Sequence, residues 1–320
     1  PFTSSFEIDR LALYGEISPE LSERARLTVG LRGERHESNY ADSEDVQFDP
    51  SDDLWGGRLI FEWDLNAQSL LYASVTRGYK AGGFNASSSL DEELREFDPE
   101  VLWNYELGLK GSWLEDTLTL SAALFYQDRN DMQVKQSIVI PMDPSSSACP
   151  CNFIDSLQNA AGGTNKGLEI EGNWQASENI NLFGSLGLLD TEYKNYLSYS
   201  HTDADLENGI PYDMSGRAQA HAPETQYALG VQFFIAQNWF AQADIEGKSS
   251  AYASANHNEK LAAYTLLNLR LAYETERWSL ALWGRNLTDK NVQTRGVGGF
   301  GNDPRKLYET EAYYQLGEPR

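Results

Sequence analysis

The chain has 320 residues, 41% of them hydrophobic, with 48 acidic against 25 basic residues and a formal charge of -23. Mean hydropathy is -0.52, and no run of roughly 18 apolar residues occurs, which excludes membrane-spanning helices but not barrel strands, whose alternating pattern averages out as hydrophilic. So acidic a chain argues against nucleic-acid binding, which needs basic side chains to meet phosphate.

Period-two alternation predicts strands along nearly the whole length. The first are expected at 4–17 and 23–38; in the second, Leu27, Val29 and Leu31 oppose Arg26, Thr28 and Arg32. Strands at 53–63 and 69–80 follow, the latter with Leu71, Ala73 and Val75 on one face and Tyr72, Ser74 and Thr76 on the other. It runs into RGYKAGGFN, where glycines let a chain turn sharply and Tyr79 stands at the strand end. Strands at 100–113 and 117–134 come next, with Leu118, Leu120, Ala122, Leu124 and Tyr126 sharing a face of the second. After them come 166–176, 180–195 and 223–235, where Tyr227, Leu229, Val231 and Phe233 align. The last three are 239–250, 263–275 and 277–288; Leu267, Leu269, Leu271 and Tyr273 share one face of 263–275, and Trp278, Leu280 and Leu282 oppose Ser279, Trp283 and Arg285.

The connections alternate in length. Short turns lie at SPELSE, DLNAQ, LED, ASEN, AQN and ETER, and between them run long segments near 39–52, 81–99, 135–165, 196–222, 251–262 and from 289 onward. In an up-and-down meander every second connection lies at the same end, so all long loops project from one side. Transmembrane barrels have that asymmetry, whereas soluble sandwiches have shorter strands and no reason to sort their loops. The faces opposite the apolar ones carry both signs of charge: Arg32, Glu34, Arg58, Glu62, Glu106, Lys110, Glu169, Glu171, Asp244, Glu246, Arg270 and Arg285. A packed core does not tolerate such a row, because unpaired buried charges cost several kcal/mol each, and a wet or plugged lumen does. The 12% of Phe, Trp and Tyr would supply interfacial girdles. The two cysteines, Cys149 and Cys151 in CPC, are a candidate for a tight disulfide in an oxidising compartment or else two free thiols; no CxxC or nearby His cluster supports a metal or redox site.

Five blocks in order, LLYASVTRGYKAGGFN, FDPEVLWNYELGLKGSW, LTLSAALFYQDRNDMQV, NAAGGTNKGLEIEGNW and LALWGRNLTDKNV, give the chain its resemblance to the C-terminal part of the barrel of TonB-dependent outer-membrane receptors. The resemblance covers essentially all 320 residues. It implies an all-β, antiparallel up-and-down transmembrane barrel in the outer membrane of a Gram-negative bacterium, with about twelve of 22 strands in this chain. Leu71, Ala73 and Val75 would then face lipid, and Tyr79 would join the outer girdle. The family's N-terminal plug and final strand are not seen between residues 1 and 320. The implied partners are outer-membrane lipid and lipopolysaccharide, the chain's own plug domain, a TonB-type periplasmic protein acting through that plug, and a bulky scarce nutrient, foremost a ferric siderophore. No resident cofactor is implied.

Ligand capture in this family belongs to the external loops and the plug apex. The candidates are Lys80 and Phe84 after the fourth strand, Tyr196, Tyr199, His201, Tyr212, Arg217 and His221 in the loop at 196–222, and Arg295, Phe300, Arg305 and Tyr308 near the end. Aromatics and Arg suit catecholate or hydroxamate complexes through stacking and charge-assisted hydrogen bonds. For any one of them the plain alternative is loop packing. His201 and His221 as haem ligands have only their spacing in favour, and DADLENG lacks the Gly and Glu of a calcium loop. AGGTNKG fails the P-loop spacing and no GxSxG positions a nucleophile, so no enzyme is expected. A passive twelve-stranded pore or a surface adhesin is the competing reading, and a soluble glycan-binding protein a more distant one.

Overall fold

The computed structural model describes residues 2–87, 90, 92–141, 151–199, 201–205, 210–300 and 311–317. Twelve long strands form one antiparallel meander: β1 (Ser4–Ile17), β2 (Ala25–Asp42), β3 (Ser51–Asn66), β4 (Ser69–Lys80), β5 (Glu100–Trp113), β6 (Leu118–Pro141), β7 (Cys151–Ser177), β8 (Ile180–Lys194), β9 (Thr225–Ala236), β10 (Trp239–Lys248), β11 (Tyr264–Glu274) and β12 (Ser279–Gly284). Each pairs with its sequence neighbours, and the outer edges of β1 and β12 carry no long partner strand among the described residues.

Turn chemistry fixes the short connections. Asn66 Oδ1 accepts the Gln68 N–H at 2.8 Å, and Thr275 Oγ1 accepts the Trp278 N–H at 3.1 Å. Between β5 and β6, Leu114, Glu115 and Asp116 all take positive φ, at 55°, 58° and 65°. That left-handed run reverses the chain at a cost of about 1–2 kcal/mol per residue with a Cβ.

Register then sorts the side chains. Tyr72 lies opposite both Glu62 and Gly108, its ring fills the place a Gly108 Cβ would take, and its hydroxyl donates to Glu106 Oε1 at 2.5 Å. The same face carries Arg58 with Glu16, Arg26 with Glu62 and Asn268 donating to Asp244 at 2.8 Å. A groove lined from β4 through β11, with Tyr72, Glu106, Lys110, Glu171, Glu246 and Lys248 among its walls, makes this charged face concave.

The opposite face is apolar and exposed: Leu59, Phe61, Leu107, Leu124, Leu229 and Leu271 are each at least 40% accessible. Side chains left open in this way stabilise a protein only when the surrounding medium is itself apolar. Aromatic rings bound the band. At the long-loop end Trp55, Trp103, Tyr105 and Tyr126 form a chain of contacts with centroids 5.9, 6.5 and 6.3 Å apart. Toward the short turns stand Trp63, Trp113 and Trp174, with Trp239, Tyr273 and Trp278 in contact at 5.0 and 5.3 Å. From Trp103 to Trp113 along a tilted strand is about 26 Å, the height of an outer-membrane apolar band.

Several expectations change. The segment expected as a loop at 135–165 is largely hairpin, with β6 and β7 running 24 and 27 residues; a spanning strand needs about 9–11, so this hairpin stands well clear of the membrane. The final strand shrinks from 277–288 to Ser279–Gly284, leaving Arg285 outside it. Residues 293–300 and 311–316 form a separate two-stranded hairpin within the stretch expected to be loop. Tyr79 is not part of the girdle. Its ring packs over Gly56 and its hydroxyl lies 3.0 Å from Arg32 Nε and 2.9 Å from Glu34 Oε2, on the charged face; Arg77 takes the girdle position. Gly82 and Gly83 are required for close approach, a Cβ on Gly82 falling 2.5 Å from the Phe97 carbonyl oxygen, and neither has positive φ.

Candidate functional site

The long connections gather at one end of the sheet, and there the chain builds a core of its own. Tyr196 and Met214 have no accessible surface and pack with Met132, Ala161 and Tyr193 from the projecting hairpin and β8. A tight turn carries Met214 inward: Gly216 adopts φ 79°, with its N–H on the Tyr193 carbonyl at 2.9 Å and the Met214 N–H on the Tyr196 carbonyl at 2.8 Å. The Tyr196 hydroxyl receives Gln136 Nε2 at 3.3 Å. Burial raises the phenol pKa of Tyr196 above its ordinary value, so it stays protonated.

Arg217 fastens this core to the segment between β10 and β11. Its guanidinium lies 3.8 Å from the Tyr252 ring centroid and donates to the carbonyls of Ser254 and Ala255 at 3.4 Å and to that of His257. Around it, the Thr202 N–H reaches the Asn256 carbonyl at 2.8 Å, as the His221 N–H reaches that of Tyr252. Asn258 Nδ2 donates to Asp203 Oδ2 at 2.7 Å. His201 stacks on Tyr212 with centroids 3.8 Å apart and 10° between planes, and its Nδ1 accepts the Asp203 N–H at 3.1 Å, which leaves the ring proton on Nε2. Burial holds both His201 and His257 below the ordinary imidazole range. The nearby Arg217 charge acts in the same direction, opposed by Asp203 at the first and Glu259 at the second.

Of the sequence candidates, Tyr196, His201, Tyr212 and Arg217 therefore meet in one packed assembly. Tyr196 is wholly buried and His201 3% exposed, so both shape the assembly rather than its outer surface. Tyr199 is 53% exposed, and His221 and Arg295 also face outward. Lys80 is exposed opposite Glu100, while Glu100 itself is bound by Arg129 Nε at 2.9 Å and the Gln133 N–H at 3.0 Å. Phe84 belongs to a second group, with Tyr40 at 5.1 Å, Phe48 at 4.8 Å and Phe6 at 5.7 Å. Phe300 closes a strand, but its side chain, like that of Cys151, lies outside the described residues, as do Cys149, Arg305 and Tyr308.

Sequence reasoning passed over Tyr252 and His257, although AYASANHNEK has the same mixture of aromatic and His that drew attention to 196–222. Among the described residues no group of three His, Cys, Asp or Glu is arranged to hold a metal. The chemistry on offer is stacking, hydrogen bonding and charge, which is the chemistry of binding.

Residues 1–287 match the model of the TonB dependent receptor-like β-barrel family. The pesticin receptor of Yersinia pestis is 22% identical over 301 residues, covering 90% of this chain and 40% of the receptor. The ferric-pyoverdine M114 receptor PbuA of Pseudomonas sp. (strain M114) is 24% identical over 326 residues, covering 94% of this chain and 35% of the receptor. The crystal structure of the ferric yersiniabactin uptake receptor FyuA from Yersinia pestis superimposes with TM-score 0.74 at 21% identity, over 99% of this chain and 45% of FyuA. That of the siderophore receptor PiuA from Acinetobacter baumannii gives 0.73 at 17%, over 99% and 42%. The chain thus spans less than half the length of these relatives. With a matching family model over nearly its whole length, a meander of twelve strands and a lipid-type outer face, the chain belongs to the TonB-dependent receptor β-barrel family of Gram-negative outer membranes.

Proposed function

We propose that this chain forms part of the barrel wall and outer loops of a receptor that takes up a bulky scarce nutrient, a ferric siderophore, with energy supplied through a TonB-type partner. The observation that supports this most is the loop assembly itself. The long connections converge on one end of a charged, concave wall, and Arg217 and Tyr196 stitch two of them into a fixed unit. The relatives support the ligand class by their names, two being ferric-pyoverdine and ferric-yersiniabactin receptors. Other relatives are named for pesticin and for a complex with pyocin S2. The work is binding and release, and nothing in it calls for catalysis.

The edges of β1 and β12, which carry no long partner strand among the described residues, support a larger barrel in which these strands are one arc, with a plug in the remaining lumen as the component that meets the periplasmic partner. The test is uptake of radiolabelled iron, supplied as a panel of ferric siderophores, by cells whose other receptors are deleted and which express the intact polypeptide. Saturable uptake abolished by a protonophore is expected. Uptake that is unsaturable and indifferent to the protonophore would replace the coupled receptor with a passive pore, and absence of uptake for every chelate would move the search to other nutrients.

A further inference from the structure

The arginine at the centre of the loop assembly is already committed. Arg217 lies against Tyr252 and donates to the carbonyls of Ser254, Ala255 and His257. An open guanidinium stands elsewhere, on the charged inner face of β1. Arg10 pairs in register with His36, which pairs in turn with Asp52 at the start of β3. Its Nε donates to His36 Nδ1 at 3.0 Å, so the ring proton sits on His36 Nε2, 3.1 Å from Ser38 Oγ. His36 and Ser38 are each only 5% exposed. This buried pair sets the direction of the Arg10 side chain, which is itself exposed.

The neighbouring carboxylates are taken. Glu34, one inward step nearer the membrane, accepts from Arg32 at 2.6 Å and from the Tyr79 hydroxyl at 2.9 Å, and Asp52 accepts the Gly82 N–H at 2.9 Å. Among the described residues the terminal nitrogens of Arg10 have no hydrogen-bond or ion-pair partner. In a chain with 48 acidic against 25 basic residues a cation is easily paired. One that is oriented by a buried imidazole and still open is arranged for an anion from outside.

Above Arg10 the same face carries rings. Phe6, nearer the loops, pairs in register with Tyr40, and Tyr40 with Phe48. Phe84 from the connection after β4 closes the group, 4.8 Å from Phe48, 5.1 Å from Tyr40 and 5.7 Å from Phe6, and Phe6 remains 56% exposed. Along β1 the step from Phe6 to Arg10 is about 13 Å, more than one ring spans and within the reach of a bulky chelate that carries several. The rings offer stacking, and the guanidinium offers a planar fork to ionised oxygens. An aliphatic ferric tris-hydroxamate, uncharged and with no ring to stack, uses neither; an aryl chelate with net negative charge uses both.

We infer that Arg10, positioned by His36, and the rings of Phe6, Tyr40, Phe48 and Phe84 form a subsite that selects anionic ferric chelates whose oxygen donors sit on aromatic rings. The inference rests on the receptor reading above and narrows its ligand class, and it places the selecting residues on the wall at β1 and β2 rather than in the 196–222 loop.

The test titrates the intact polypeptide, purified in neutral detergent, with the ferric complexes of a synthetic tris-catecholate and of a linear aliphatic tris-hydroxamate, followed by tryptophan fluorescence. The tris-catecholate complex is expected to bind at least about tenfold more tightly, and Arg10→Met to weaken it about tenfold while leaving the tris-hydroxamate unchanged. His36→Leu should weaken it similarly although the cation remains. His36→Gln, which can still accept from Arg10 and donate to Ser38, should restore most of the affinity. Preference for the tris-hydroxamate, no loss in Arg10→Met, or equal loss for both chelates would overturn the inference and leave the receptor reading standing, whereas binding of neither chelate would overturn both. Should a variant fail to fold, the preference of the wild-type protein still tests the ligand class.

Discussion

The wall and the loops of this protein are stabilised in opposite ways. Along the wall, side chains such as Leu107 and Leu124 are about half accessible, since one face is solvated by lipid and the other by the lumen. In the loops the burial is complete: the largest fully enclosed side chains are Tyr196, Met214, Leu261 and Ser198, all from long connections. What holds the wall is the hydrogen-bonded ladder and its fit to a bilayer; what holds the loops is an ordinary close-packed core. Mutations should therefore be felt by different rules in the two regions.

The largest effect is expected at Met214. Met214→Ala should cost the loop assembly about 2–5 kcal/mol by leaving a cavity, seen as faster amide exchange across 193–217 with the heat-resistant barrel band unchanged on a gel. Loss of the band as well would mean that loops and wall fold as one unit. Leu107→Arg reverses the comparison. Midway between Trp103 and Trp113, it should destabilise insertion by about 2–4 kcal/mol while leaving the loop assembly of correctly inserted molecules intact, as measured by folding titration into bilayers with amide exchange of the inserted fraction.

Arg217→Met sharpens the contrast within the loops. Removing charged hydrogen bonds to the carbonyls of Ser254 and Ala255 should cost about 1.5–3 kcal/mol and raise exchange in 249–263 more than in 196–205. Equal protection in both segments would deny that Arg217 joins them.

Acid should loosen the loop assembly. His201 and His257 are held neutral by burial, with Arg217 reinforcing that effect and Asp203 and Glu259 opposing it. Because their folded values are depressed, their contribution is complete above the unfolded imidazole pKa of about 6.5 and is lost as pH falls through that value toward the folded ones. Protonation of His201 would also place a hydrogen on Nδ1, against the Asp203 N–H that it now accepts. Amide exchange between pH 7.5 and 5.5, corrected for its intrinsic rate, should rise around His201 and His257; His201→Gln with His257→Gln should flatten the rise. The smallest effect is expected at Glu115, with its φ of 58°, where Glu115→Gly should add about 1 kcal/mol by relieving a left-handed residue in the turn, read as a shift in the urea midpoint of barrel unfolding.

The alternation of residues such as Leu71, Tyr72, Ala73 and Ser74 determined the strands, their faces and the order of the meander, because a strand's period of two is a property of the covalent chain. The sorting of long and short connections likewise determined which end carries the loops. Sequence did not reveal that AAGGTNKG continues a strand, because its glycines read as turn signals; in the fold they allow close approach, a Cβ on Gly163 meeting Gln219 Nε2 and Met132 Sδ at 2.8 Å. Nor did it separate the site candidates. Tyr196 and Tyr199 stand three residues apart in one loop, yet one is enclosed and the other open. Tyr79 left its expected place at the strand end for the same reason, its hydroxyl meeting Arg32 and Glu34 instead. Local pattern says which face a residue takes, but whether that face meets lipid, water, a ligand or another loop depends on segments distant in sequence, and only tertiary packing brings those together.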